Sequence, residues 1–183
     1  MYYLVFDCET TGLIASCNVL TAYFMILDNE LNIIDELDLK IKYPFYIIFP
    51  KALEINKINI LEHDKIAISK HEATNKIINF LKKYDTKYLI IGHNINFDID
   101  MLKNNKILTE IDIIQYFEKN YLDTYLIAKN LKKNNLLSKC QSLSLTKLCY
   151  NFDINYKSDL NFHNAKYDCY MTLGLYKKLI ELQ

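Results

Sequence analysis

Arginine is absent: all 22 basic residues are lysines, and 22 acidic residues balance them, leaving no net charge. A molecule-wide positive field for gripping nucleic acid is thereby excluded, and any such grip is local. No apolar run approaches the length that crosses a bilayer, and Met1 leads straight into an apolar strand without a basic leader. The expectation is no membrane association and a cytoplasmic location. Cys8, Cys17, Cys140, Cys149 and Cys169 are an odd set with no C-x-x-C pair, which suits neither a disulfide framework nor a cysteine zinc site and fits a reducing compartment. Internal repeats, low-complexity linkers and domain boundaries are missing too, so residues 1–183 are expected to form a single domain.

What is present is the make-up of a globular protein, 51% hydrophobic and 24% charged. Strand-like and helix-like segments alternate in an order that suits an α/β layer architecture. Tyr2 to Val5 begins a strand; Val19 to Leu27 and Asn32 to Ile41 read as two more, joined through Asp28-Asn29-Glu30 into an antiparallel hairpin. Lys87 to Ile91 is short and strongly apolar, the pattern of a buried parallel strand. Helices are expected over Lys70 to Tyr84, Phe97 to Lys103, Leu122 to Leu131, Leu143 to Tyr150 and His163 to Leu182. Tyr43 to Pro50 is more apolar than an ordinary loop; between a partner-binding patch and a covered strand, burial is the favoured reading. From Thr124 to Phe152, Lys129, Lys132, Lys133, Lys139 and Lys147 meet no acidic residue, which describes either a solvated surface or a phosphate-tracking patch.

Chemistry concentrates in Phe6-Asp7-Cys8-Glu9-Thr10-Thr11-Gly12-Leu13. Side chains alternate along a strand, so Asp7 and Glu9 share a face. A rigid carboxylate pair at a strand's end suits a hard cation such as Mg²⁺; the bland alternative is a strand running into an acidic turn. Two later segments add acids. Gly92-His93-Asn94-Ile95-Asn96-Phe97-Asp98 follows the apolar strand, and His163-Asn164-Ala165-Lys166-Tyr167-Asp168 opens the last helix. Taken singly, Asp98 is also readable as an acid at a helix start favoured by the dipole, and His163 as a helix cap.

Together and in this order, the three blocks resemble the signature of the DEDDh (DnaQ-like) 3′-to-5′ exonucleases, which include the proofreading epsilon subunit of bacterial replicative polymerases, ribonuclease T and oligoribonuclease. Weaker similarity around Leu53 to Asn59, at Leu122-Asp123-Thr124 and at Ser144 to Leu148 extends the resemblance over nearly the whole chain. It implies an α/β fold, a ribonuclease H-like mixed sheet of about five strands flanked by helices. It also implies that Asp7, Glu9, Asp98 and Asp168 ligate two Mg²⁺ (or Mn²⁺) ions and that His163 is the general base. Substrate contacts would come from the Thr10 backbone N–H, Leu13 beside the last base, Asn94 and Phe97. The sister group with a tyrosine base would need Tyr at position 164, which is Asn164.

The implied activity is metal-dependent hydrolysis of terminal phosphodiesters of single-stranded DNA, releasing nucleoside 5′-monophosphates. An exoribonuclease or oligoribonuclease-like enzyme is the alternative, and a non-catalytic binding module is disfavoured because both base and acids are retained. The implied partner is nucleic acid with a free 3′ end; a polymerase and a homodimer both stay open. Packed carboxylates repel, so a metal-free site is expected to raise their pKa values or spread apart. One departure concerns Asn56-Lys57-Ile58-Asn59, where many relatives have His-Gly-Ile: glycine suits a left-handed turn, and Lys57 in that conformation costs about 1 kcal/mol.

Overall fold

Tyr2–Thr10 forms the central strand β1, between β2 (Val19–Leu27) and β5 (Tyr88–Gly92). This is the arrangement in a computed structural model that describes residues 1–137, 140–156 and 162–182. β3 (Ile33–Lys42) follows β2 through the Asp28 turn, whose carboxylate accepts the N–H groups of Glu30 and Asn32, each at 2.9 Å. Two-residue strands β4 (Ile68–Ser69) and β6 (Leu122–Asp123) complete the order β4-β3-β2-β1-β5-β6. The β1–β2 and β2–β3 pairs are antiparallel, whereas β5 on β1, β6 on β5 and β4 on β3 are parallel, so the sheet is mixed. Six strands stand where the resemblance implied about five, because two-residue strands leave no period to read.

The helices are α1 (Pro50–Asn56), α2 (Ile60–Ile66), α3 (Lys70–Leu81), α4 (Ile95–Asn104), α5 (Glu110–Tyr116), α6 (Thr124–Lys133), α7 (Leu145–Asn151) and α8 (Ala165–Ile180). Alternation along β1 decides which side each residue serves. Leu4, Phe6 and Cys8 join a core with Phe24, Ile26, Leu39 and Ile41 and with the apolar stripes of α3 and α4. Val5 faces the opposite side, with Tyr23, Met25, Leu27 and Ile91 under Ala165, Cys169, Leu173 and Tyr176 of α8. Asp7 and Glu9 share Val5's parity, so the acids emerge on the α8 side of the sheet. Each fully buried Leu, Ile or Phe contributes about 1.5–3 kcal/mol; β2 is buried at every position but Thr21, and β1 is anchored by Leu4, Val5 and Phe6. The acids therefore stand on a strand paired on both sides and buried at its middle.

Several expectations are corrected. Leu122 and Asp123 are strand, and α6 starts only at Thr124. The last helix starts after Asn164, whose side chain accepts the Tyr167 N–H, so His163 precedes the helix. Tyr43 to Pro50 is not a covered strand: Phe45 is 87% exposed, and Ile47, Ile48 and Phe49 are exposed as well. Its backbone is spent elsewhere, with Ile47 N–H on Asn18 Oδ1 (2.9 Å) and Phe49 N–H on the Thr11 carbonyl (2.8 Å), which leaves no ladder to join. In the lysine-rich segment, the Lys132 ammonium donates to the carbonyls of Cys140 (2.6 Å) and Gln141 (3.4 Å) and is committed to its own loop. Lys129, Lys133 and Lys147 are exposed, and Lys139 lies outside the described residues. Among the described residues no helix is long and apolar enough to cross a membrane.

Candidate active site

Asp7, Glu9 and Asp168 converge: one carboxylate oxygen from each lies within 4.8 Å of the others. Strand parity supplies the first two and the opening turn of α8 supplies the third. Asp98, buried in the first turn of α4, stands beside the trio but outside that spacing, with Oδ1 accepting the Cys8 N–H at 3.0 Å. Asp168 Oδ2 accepts the His163 N–H at 3.1 Å, while Asp168 Oδ1 is buried with no hydrogen-bond partner among the described residues. An ionised oxygen so placed is costly unless a cation meets it.

The electrostatics agree with that geometry. Burial, then the charges of Asp98, Asp168 and Glu9, holds the Asp7 carboxyl well above the usual carboxylate range. Burial and the charges of Asp168 and Asp98 push Glu9 up to about 8, against a hydrogen bond with Asn56 that lowers it. Asp98 is raised to about 8 by burial, opposed by the Cys8 N–H, and Asp168 to about 7, again by burial and opposed by the His163 N–H. The expected rise in a metal-free site is present. A hard-oxygen donor set, an orphaned buried oxygen and mutually repelling acids all fit a divalent cation such as Mg²⁺ or Mn²⁺.

Two depressions meet at this cluster. A cleft of about 530 Å³ is lined mainly by apolar side chains, among them Leu13, Ile14, Phe49, Ile55 and Phe97, together with Thr10, Glu9 and His163. Leu13 is 81% exposed at its rim. A groove of about 400 Å³ opens on the other side of Glu9, Asn56 and His163, with Thr21, Lys40, Lys57 and Glu62 among its lining. His163 is exposed between the two, its backbone left-handed at φ 67°. Asn94, by contrast, is not among the residues lining the cleft. It is the left-handed N-cap of α4, and its N–H donates to Asp123 Oδ1 at 3.0 Å.

The sequence pattern missed Phe49, Ile55 and Asn56. Phe49 is brought in by its N–H bond to Thr11, and Asn56 by donating from Nδ2 to the Thr10 carbonyl at 3.1 Å. Close approach also explains Gly12, where a Cβ would lie 2.6 Å from Cys17 Sγ and 2.7 Å from the Phe49 ring. Lys57 caps α1 in the left-handed conformation (φ 58°, ψ 24°), so the turn expected to suit glycine is present and is made by lysine.

A family model described as exonuclease, RNase_T, matches residues 4–176. No curated protein is significantly similar in sequence. Among solved structures, exonuclease I superimposes with a TM-score of 0.82 at 20% identity, over 98% of this chain and 40% of that one. The zinc-bound form of the Escherichia coli exonuclease I–single-stranded DNA complex gives 0.80 at 20% identity, with 98% and 40% coverage. A moderately thermophilic exonuclease I from Methylocaldum szegediense gives 0.72 at 18%, with 97% and 40%. The chain thus spans about two fifths of the exonuclease I chains it resembles. With a family match over nearly its whole length and the mixed sheet of those structures, the chain belongs to the DnaQ-like exonuclease family.

Proposed function

We propose that this chain is a divalent-metal-dependent 3′-to-5′ exonuclease of single-stranded nucleic acid, DNA foremost, with Asp7, Glu9, Asp98, Asp168 and His163 as its catalytic set. The observation that carries the reading is the meeting of three carboxylates, one with an orphaned buried oxygen, where an apolar cleft and a second groove join. Asp7, Glu9 and Asp168 would hold one ion, and Asp98 is the remaining carboxylate for a second. Mg²⁺ or Mn²⁺ held there supplies Lewis-acid stabilisation of charge on the phosphoryl and leaving oxygens.

The chain's own groups do the rest. Leu13 and Phe97, with Phe49 and Ile55, enclose the terminal base and sugar and exclude water from them. The Thr10 backbone N–H holds the terminal 3′-hydroxyl. His163, exposed at the rim and tied through its N–H to Asp168, takes a proton from the attacking water on its imidazole. A new P–O bond forms as the bond to the 3′-oxygen breaks, giving a nucleoside 5′-monophosphate and a shortened strand. Structures of E. coli exonuclease I with single-stranded DNA support this choice of substrate.

The test is a 5′-labelled single strand, offered as DNA or RNA with Mg²⁺, Mn²⁺ or chelator. A metal-dependent ladder shortening from the 3′ end is expected, faster on DNA. Faster shortening of RNA selects the exoribonuclease alternative, and an intact strand under every condition refutes the nuclease reading.

A further inference from the structure

The groove on the far side of His163 has a charge pattern that the hydrolysis step does not use. Glu9 on β1 is in register with Thr21 on β2, and Thr21 with Lys40 on β3, so these three form one row across a single face of the sheet. Two strand spacings put the Lys40 backbone about 10 Å from that of Glu9. Lys57 lines the same groove from the end of α1. Among the described residues neither lysine is in an ion pair, whereas Glu62 in the groove is already paired with Lys65 at 2.7 Å. Two free ammonium groups therefore flank a depression that opens onto the carboxylates.

Lys57 carries a second signal. Its cap position is left-handed, where glycine or asparagine is the low-strain choice, and its exposed side chain adds nothing to the core. Left-handed backbone alone is not distinctive in this chain, since six other non-glycine residues among those described adopt it. What sets Lys57 apart from Lys106, a lysine that is also left-handed, is that it lines a groove shared with Glu9 and His163. Strained residues that persist beside a cluster of acids point to a function.

We propose that Lys57 and Lys40 form a phosphate subsite on the His163 side of the carboxylates; this rests on the exonuclease reading above for the identity of the ligand. The phosphate is either one of the bound strand's backbone or the 5′-phosphate of the released mononucleotide. The apolar cleft takes the base and this groove takes the charge, with the acids at the joint.

The experiment measures binding of a short 5′-labelled oligothymidylate by fluorescence anisotropy, in Ca²⁺ over a salt series. Wild type is compared with Lys57→Gly, Lys57→Arg, Lys40→Gln and, as a control on α3 across the sheet, Lys76→Gln. Lys57→Gly and Lys40→Gln are each expected to raise Kd about fivefold, the scale of one exposed charge contact. Each should also flatten the logarithmic salt slope by about 0.7, the loss of one phosphate contact to a single strand. Lys57→Arg and Lys76→Gln should stay near wild type. Thymidine 5′-monophosphate competition separates the sources: inhibition weakened by the variants identifies the product's phosphate, and unchanged inhibition with weaker strand binding identifies the backbone.

Wild-type Kd, slope and competition in both Lys57→Gly and Lys40→Gln would overturn the subsite, as would failure of wild type to bind the strand. Cleavage without lysine dependence removes the subsite alone. Lysine-dependent binding without cleavage removes the nuclease reading alone.

Discussion

Asp168 is the residue on which the site turns: one oxygen anchors the His163 backbone and the other is buried without a partner among the described residues. Asp168→Asn keeps an acceptor for that N–H and removes the charge. Cleavage should fall by at least about a thousandfold, measured on a labelled strand in Mg²⁺. The same change should stabilise the metal-free protein at pH 8 by on the order of 1–3 kcal/mol, measured by denaturant unfolding, because the carboxyl's folded pKa of about 7 makes its ionisation a cost of folding. Leu13→Ala should raise KM severalfold and leave stability within about 0.5 kcal/mol, since the side chain is 81% exposed. Asp7 and Glu9 were legible as a pair because parity on a strand is a local property, whereas Asp98 and Asp168 joined them only through the family resemblance. Phe49 and Asn56 were not legible, because they reach the cleft through tertiary bonds to Thr11 and Thr10 that leave no local pattern, and Ile55 comes with them on α1.

At the scale of elements, Asp123 is the join. Its carboxylate accepts the N–H groups of Asn94 (3.0 Å) and Ile95 (3.1 Å) at the start of α4 and of Tyr125 (2.9 Å) at the start of α6. Asp123→Ala leaves these donors without an acceptor and should cost about 2–4 kcal/mol in a denaturant titration. Activity should fall as well, because α4 carries Asp98. Lys57→Gly should raise stability by about 0.5–1 kcal/mol through relief of the left-handed backbone, read in the same assay. The long strands and α3, α4, α6 and α8 follow from hydrophobic period. The seven-residue helices α1, α2 and α5 do not: α1 buries no residue and α2 only His63, so no apolar stripe marks them. Their readable signs lie at the caps: Pro50 at the start of α1, Asn59 with Glu62 for α2, and the Thr109–Asp112 capping box for α5.

For the whole molecule, a chain of zero net charge still gathers the carboxylates of Asp7, Glu9, Asp98 and Asp168 at one place. Glu9, Asp98 and Asp168 have folded pKa values of about 8, 8 and 7, above their unfolded values near 4. Groups raised in this way favour the fold fully below pH 4 and cease to do so as pH rises through 7 to 8. Metal-free protein should therefore lose Tm between pH 5 and pH 8, and Mn²⁺ should restore more of it at pH 8 than at pH 5. The central claim is that these acids are a cation site, and calorimetric titration of Mn²⁺ at pH 7 in two buffers of different ionisation enthalpy tests it most directly. Binding that releases on the order of one proton or more, and that Asp168→Asn abolishes, is the expected result. No binding, or binding without proton release that Asp168→Asn leaves intact, would contradict it.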